Sequence, residues 1–126
     1  MTFKALAGAF IALCLMFYAT AKAEAQSIAL VGFGDSLMAG YELAPDEAFP
    51  ARLETLLRNK GHDVSIANAG VSGDTTADGL ARLDWSIPDG TRGVILELGA
   101  NDALRGLSPA ESRSNLEAIL KRLKER

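Results

Sequence analysis

Ile28-Ala-Leu-Val-Gly-Phe-Gly-Asp-Ser-Leu37 is the stretch that decides the fold. Ser27 to Phe33 is short and nearly all apolar, the pattern of a strand buried on both faces. Gly34-Asp35-Ser36-Leu37 follows at its carboxyl end, so a serine hydroxyl stands just past a buried strand.

Working outward, the chain alternates strand and helix. Pro50 fits the first turn of a helix, with Asp46 and Glu47 near its positive end. Leu53, Leu56, Leu57 and Lys60 run at helical spacing to Gly61, a C-terminal stop. Asp63 to Asn68 reads as the second strand. Asp74 or Thr75 can cap a second helix carrying Leu80 and Leu83, and Pro88-Asp-Gly90 marks a turn. Arg92 to Leu98 holds the third strand, Val94-Ile-Leu96. Ser108-Pro-Ala-Glu111 then opens a third helix, with serine as cap, proline at the first position and glutamate reaching back. Leu116, Ile119, Leu120 and Leu123 form its apolar face. This alternation predicts a parallel sheet with right-handed crossovers and helices on both faces. Sites in such sheets lie beyond the carboxyl ends of the strands.

The segment before this alternation reads differently. Met1 to Lys4 is positive, Leu6 to Ala19 is uncharged and apolar, and Ala21-Lys-Ala23 and Ala23-Glu-Ala25 offer small-x-small cleavage patterns. Residues 1–25 are therefore expected to be a signal peptide, its apolar run Leu6 to Ala19 too short for a bilayer span of about 20 residues. Residues 26–126 are expected to be the domain, exported to the periplasm or beyond and without a stable membrane anchor. The single cysteine, Cys14, lies in the apolar run, so the exported part has no disulfide. The net charge of -3, with both signs interspersed and no basic stripe, argues against nucleic acid as partner. His62 is the only histidine, a poor start for a metal site. No metal and no organic cofactor are expected.

Three blocks fall in strand-to-helix loops: Gly34-Asp-Ser-Leu37, Asn68-Ala-Gly-Val-Ser-Gly-Asp-Thr75 and Glu97-Leu-Gly-Ala-Asn-Asp-Ala-Leu-Arg-Gly106. Ser36 is the candidate nucleophile, and a serine needs a base and a sharp turn to present it, for which Gly32 and Gly34 are suited. Read blandly, Gly-x-Gly-Asp-Ser is a turn or a phosphate loop. The phosphate version lacks its third glycine and any Gly-Lys-Ser/Thr. The Gly-x-Ser-x-Gly elbow is also absent. Gly73 offers a backbone N–H at a helix start, and Asn101 a side-chain N–H, to a developing oxyanion. Alone, Gly73 reads as a loop glycine and Asn101 as a cap or turn residue. Asp102 reads as structural.

In order, the three blocks resemble the SGNH or GDSL hydrolase family. Ser72-Gly-Asp-Thr-Thr76, Gly79-Leu-Ala-Arg-Leu83 and Asn101-Asp-Ala-Leu-Arg-Gly106 resemble its thioesterase I, lysophospholipase and arylesterase branch. The resemblance covers roughly Ser27 to Arg126. It implies a three-layer αβα flavodoxin-like fold, with Ser36 as nucleophile. It also implies an oxyanion hole from the Ser36 and Gly73 amides and the Asn101 side chain. Small acyl esters or thioesters are the implied substrates, cleaved through an acyl-Ser36 intermediate.

The family's fourth block, Asp-x-x-His, supplies the base and its orienting acid downstream of the third. The residues up to Arg126 do not include it, so the chain reads as the N-terminal part of such a domain, truncated after the third βα unit and inactive by itself. Its third strand is then expected to expose an apolar edge. His62 stands at the amino end of the second strand, about 17–20 Å from the serine, the wrong edge for the base. Two other readings stand beside esterase ancestry: a non-catalytic fragment or pseudo-enzyme, and a nucleotide-binding α/β half-domain.

Overall fold

The computed structural model describes residues 27–126, so the expected signal peptide lies outside the described residues. Three strands form one parallel sheet in the order β2-β1-β3: β1 (Ile28–Gly34), β2 (Val64–Gly70) and β3 (Gly93–Glu97). Five helices accompany them: α1 (Ser36–Ala39), α2 (Phe49–Asn59), α3 (Thr76–Ser86), α4 (Ala100–Leu104) and α5 (Pro109–Lys124). The expected strands are present, shifted by one or two residues at their ends. The short helices α1 and α4 were not expected. Both are single turns set by tertiary contacts in loops whose sequences carry no helical periodicity.

Alternation along β1 sorts the layers. Val31 and Phe33 point to one face and pack with Leu83 of α3, with Ile87 just after that helix, and with Ile119 of α5. Phe33, Leu83 and Ile119 are wholly buried, each contributing at most about 1.5–3 kcal/mol. Gly32 and Gly34 belong to the other face: a Cβ at Gly32 would press on the Met38 sulfur of α1 and on Pro50 of α2, and one at Gly34 would meet the Glu97 backbone and the Met38 Cβ. These glycines thus permit close packing within β1; they do not form the turn itself. Sheet between two helical layers is the three-layer α/β arrangement.

The faces of α2 and α5 are narrower than their leucine spacing suggests. Leu56 and Leu120 are exposed, while Leu53, Leu57, Leu116 and Leu123 are half-buried. Two side chains of α2 instead satisfy the outer edge of β2. Glu54 Oε2 accepts from the Ile66 N–H at 2.7 Å, and Arg58 Nε donates to the Val64 carbonyl at 2.8 Å. That edge is therefore blocked against strand addition.

Helix ends match the sequence in part. Gly61, with φ +88°, ends the α2 region as expected. Thr75 caps α3 with a full capping box: its hydroxyl accepts from the Asp78 N–H, and the Asp78 carboxylate accepts from the Thr75 N–H at 3.0 Å. The Thr75 N–H and hydroxyl hold the Asp78 carboxyl below the usual carboxylate range. The box expected at Ser108 is not formed: the Ser108 side chain makes no capping bond, and its carbonyl accepts from Ser112 instead.

Candidate active site

All three sequence blocks lie at the carboxyl edge of the sheet, where β1 is flanked by β2 and β3 and the strand order reverses. Gly34 pairs with Gly70 on one side and Glu97 on the other, so the three loops leave the sheet side by side.

Asp35 shapes the first loop. It is wholly buried, and its Oδ1 accepts from the Leu37 N–H at 3.0 Å, capping α1. Ser36 is then the first residue of α1 and half-buried. The second loop turns at Gly73, whose φ of +90° is strained for any residue with a Cβ. Arg105 Nη2 donates to the Gly73 carbonyl at 2.7 Å and fixes that turn. Neither the Ser36 N–H nor the Gly73 N–H has an acceptor among the described residues.

Asn101 stands on α4, a helix of its own rather than a turn before α5. Its Nδ2 donates to the Asp74 carbonyl at 2.8 Å and to Asp35 Oδ2 at 3.2 Å. The third block therefore bridges the residue after Gly73 and the residue before Ser36. The sequence did not show that both amide hydrogens have protein acceptors in the free protein.

Asp102 is the structural residue beneath. It is buried, and its carboxylate accepts from the Thr76 N–H at 2.8 Å, the Thr76 hydroxyl at 2.6 Å and the Ser112 hydroxyl at 2.8 Å. Burial pushes its pKa up, but the bonds from Thr76 and Ser112 outweigh this and hold it below the usual value. Asn115 Nδ2 donates to the Thr76 hydroxyl at 3.0 Å, so one cluster joins α3, α4 and α5.

Glu97 was not assigned a role from sequence. Its Oε2 accepts from the Asp35 N–H at 3.3 Å, and it lines a recess of about 320 Å³ with Leu37, Met38, Phe49 and Ile95. Burial, then the Asp35 charge, pushes its carboxyl above the usual value. A raised folded-state pKa adds stability below the unfolded value, about 4.3, and that stability is lost as pH rises through the folded pKa. Glu97→Gln removes the unfavourable charge, so its thermal midpoint is expected to gain on the parent as pH rises from about 4 to 8. A midpoint difference that stays flat with pH would contradict this.

His62 lies exposed just before β2, at the opposite edge of the sheet from Ser36. The two are separated by the length of β1, so His62 is not brought to the candidate site.

Comparison with known proteins places this arrangement. Residues 33–126 match the GDSL-like Lipase/Acylhydrolase family. The chain is 40% identical over 112 residues to an arylesterase of Vibrio mimicus, covering 88% of this chain and 56% of that protein. It is 39% identical over 116 residues to thioesterase 1/protease 1/lysophospholipase L1 of Escherichia coli strain K12, covering 91% of this chain and 52% of that protein. The crystal structure of AlinE4, a SGNH-hydrolase family esterase, superposes with a TM-score of 0.76 at 55% identity, covering 80% of this chain and 55% of that one. The chain thus spans about half the length of the curated relatives it matches. A parallel sheet between helical layers, the three blocks at its carboxyl edge and these likenesses agree: the chain belongs to the GDSL-like lipase/acylhydrolase family.

Proposed function

We propose that the chain carries the nucleophile and oxyanion donors of a serine esterase acting on small acyl esters or thioesters. The supporting observation is the Asn101 amide, which ties the loop of Gly73 to the loop of Ser36. Ser36 Oγ attacks the acyl carbon, its hydroxyl proton passing to solvent water because no base stands beside it among the described residues, and gives a tetrahedral intermediate. Its oxyanion is received by the Ser36 and Gly73 N–H groups and by Asn101 Nδ2, which exchanges its longer bond to Asp35 for the oxyanion. Collapse expels the alcohol or thiol, protonated from the same solvent, and leaves acyl-Ser36, which water then hydrolyses. Each such donor is worth about 10²–10³ in rate.

No base is placed beside Ser36 by the described residues, because His62 is at the far edge. Turnover by this chain is therefore proposed to be slight, with only the residual rate, about 10³-fold over water, that oxyanion donors leave when a triad is broken. Export is supported by the charge, apolar and small-residue pattern of residues 1–25. No helix among the described residues is long and apolar enough to cross a membrane.

The test is intact-mass analysis of the secreted or periplasmic product after treatment with a small fluorophosphonate, beside p-nitrophenyl acetate turnover. In a version that also carries the family's Asp-x-x-His block, one adduct is expected, lost in Ser36→Ala, and the exported product is expected to start near residue 24–26. Labelling that survives Ser36→Ala would refute the nucleophile. An intact Met1 on the exported product would refute cleavage. Robust turnover that vanishes in Ser36→Ala would show that a base is present after all.

A further inference from the structure

We propose that Arg82 is a positioning residue for the oxyanion donors, its guanidinium setting the spacing between the loops of Ser36, Gly73 and Asn101. This rests on the reading of those three residues given above.

Arg82 lies on α3, away from every sequence block with a chemical role, and is only 7% exposed. A buried guanidinium is strongly unfavourable unless its donors are satisfied. Here they are spent on the backbone of the site. Nη2 donates to the Gly34 carbonyl at 2.9 Å, and Gly34 is two residues before Ser36. Nη1 donates to the Ala69 carbonyl at 2.9 Å, near the end of β2, and to the Ser86 hydroxyl at 3.2 Å. Nε pairs with the Asp74 carboxylate, next to Gly73. The group also stacks on the Phe33 ring, 4.2 Å from its centroid.

In the free protein these contacts close a ring, and its Arg82 bonds and the Asn101–Asp74 bond remain when Asn101 exchanges Asp35 for the oxyanion. From the Gly34 carbonyl the ring runs through Arg82 to the Asp74 side chain. It continues from the Asp74 carbonyl to Asn101 Nδ2, then to the Asp35 carboxylate, and the peptide bond returns it to Gly34. Both open amides hang from this ring: Ser36 follows Asp35, and Gly73 precedes Asp74. Oxyanion donors must be held to within about 0.5 Å, and the ring is what spans the separate loops. A planar fork with five donors can reach acceptors on two strands and a loop at once; a lysine ammonium cannot.

The experiment measures Ser36 phosphonylation by a small fluorophosphonate in the parent, Arg82→Lys and Arg82→Ala, resolved into the probe's dissociation constant and the rate constant at saturation. Folded fraction is followed by circular dichroism under the same conditions. The saturating rate constant is expected to fall about 10²-fold in the variants, the size of a 1 Å misplacement, with the dissociation constant unchanged. Added guanidinium ion is expected to restore much of the rate to Arg82→Ala, and ammonium at equal ionic strength is not. An unchanged rate constant in folded Arg82→Lys would overturn the proposal. So would a loss that only follows the unfolded fraction. If the parent is not labelled at Ser36, as the lack of a base beside it among the described residues allows, amide NMR decides the role of Arg82. Displaced Ser36, Gly73 and Asn101 side-chain resonances in Arg82→Lys then support it, and unmoved ones refute it.

Discussion

Asp102→Ala is expected to destabilise the fold by about 3 kcal/mol or more, because a charged acceptor is lost and the buried Thr76 N–H is left without a partner. Three donors converge on this carboxylate, two from Thr76 at the start of α3 and one from Ser112 on α5. Alanine supplies no acceptor in place of the carboxylate, and Thr76 is wholly buried. Urea denaturation would measure the loss, which corresponds to a fall of roughly 12 °C or more in midpoint for a domain of this size. The effect has a defined pH dependence. The Asp102 carboxyl is held below its unfolded value, so its contribution is present above about pH 4 and is lost as pH falls through the folded-state pKa. The gap between parent and Asp102→Asn should close in acid. A loss within about 0.5 kcal/mol, the range of an ordinary surface change, would show that the cluster does not hold α3 to α4 and α5.

Gly70→Ala is expected to be comparably damaging through sterics alone. Its Cβ would collide with the Ala39 nitrogen and stand 2.7 Å from the Ala39 Cα and the Met38 carbonyl carbon. These are backbone atoms of α1, so no rotamer change relieves the clash. Overpacking of this kind costs about 1–3 kcal/mol and occasionally more, and the upper end is expected here. Because α1 begins at Ser36, its displacement should also lower Ser36 labelling, by about 10²-fold for a shift near 1 Å. Gly61→Ala is the control. Its Cβ meets nothing within 4 Å, but its φ is +88°, so it isolates the left-handed penalty of roughly 1–2 kcal/mol. Gly70→Ala stability equal to the parent, with labelling intact, would mean that α1 can move away from β2 freely.

The two variants touch different classes of residue, and the difference explains what could be read in advance. The run from Ile28 to Phe33 announced a central strand because only a strand covered on both faces is apolar at every position. The Gly61 stop and the Thr75 cap of α3 were legible because capping is settled within a few residues. The three blocks could be placed at one edge because each followed a strand, and parallel strands share an edge. By contrast, the Ser108 box obeyed the local rule and still did not form, the Ser108 side chain making no capping bond, while Ser112 in the first turn is drawn to the buried Asp102 carboxylate. Gly34 was read as a turn residue from its neighbours, yet its constraint comes from the Glu97 backbone across the sheet.

By itself, then, the amino-acid sequence determined the alternation of strand and helix, the parallel sheet, and Ser36, Gly73 and Asn101 as the groups to watch. The alternation and the sheet depend on periodicity and on spacing along the chain, while the three residues were singled out together by the resemblance of their blocks to a known family. Only the tertiary structure decided how the loops are held together. Arg82 reaches the Gly34 carbonyl across 48 residues, Asp102 reaches Thr76 across 26, and Asn101 reaches Asp35 across 66. Bonds at such separations leave no local pattern, because a buried guanidinium or carboxylate takes its role from whichever donors and acceptors the packed core brings to it.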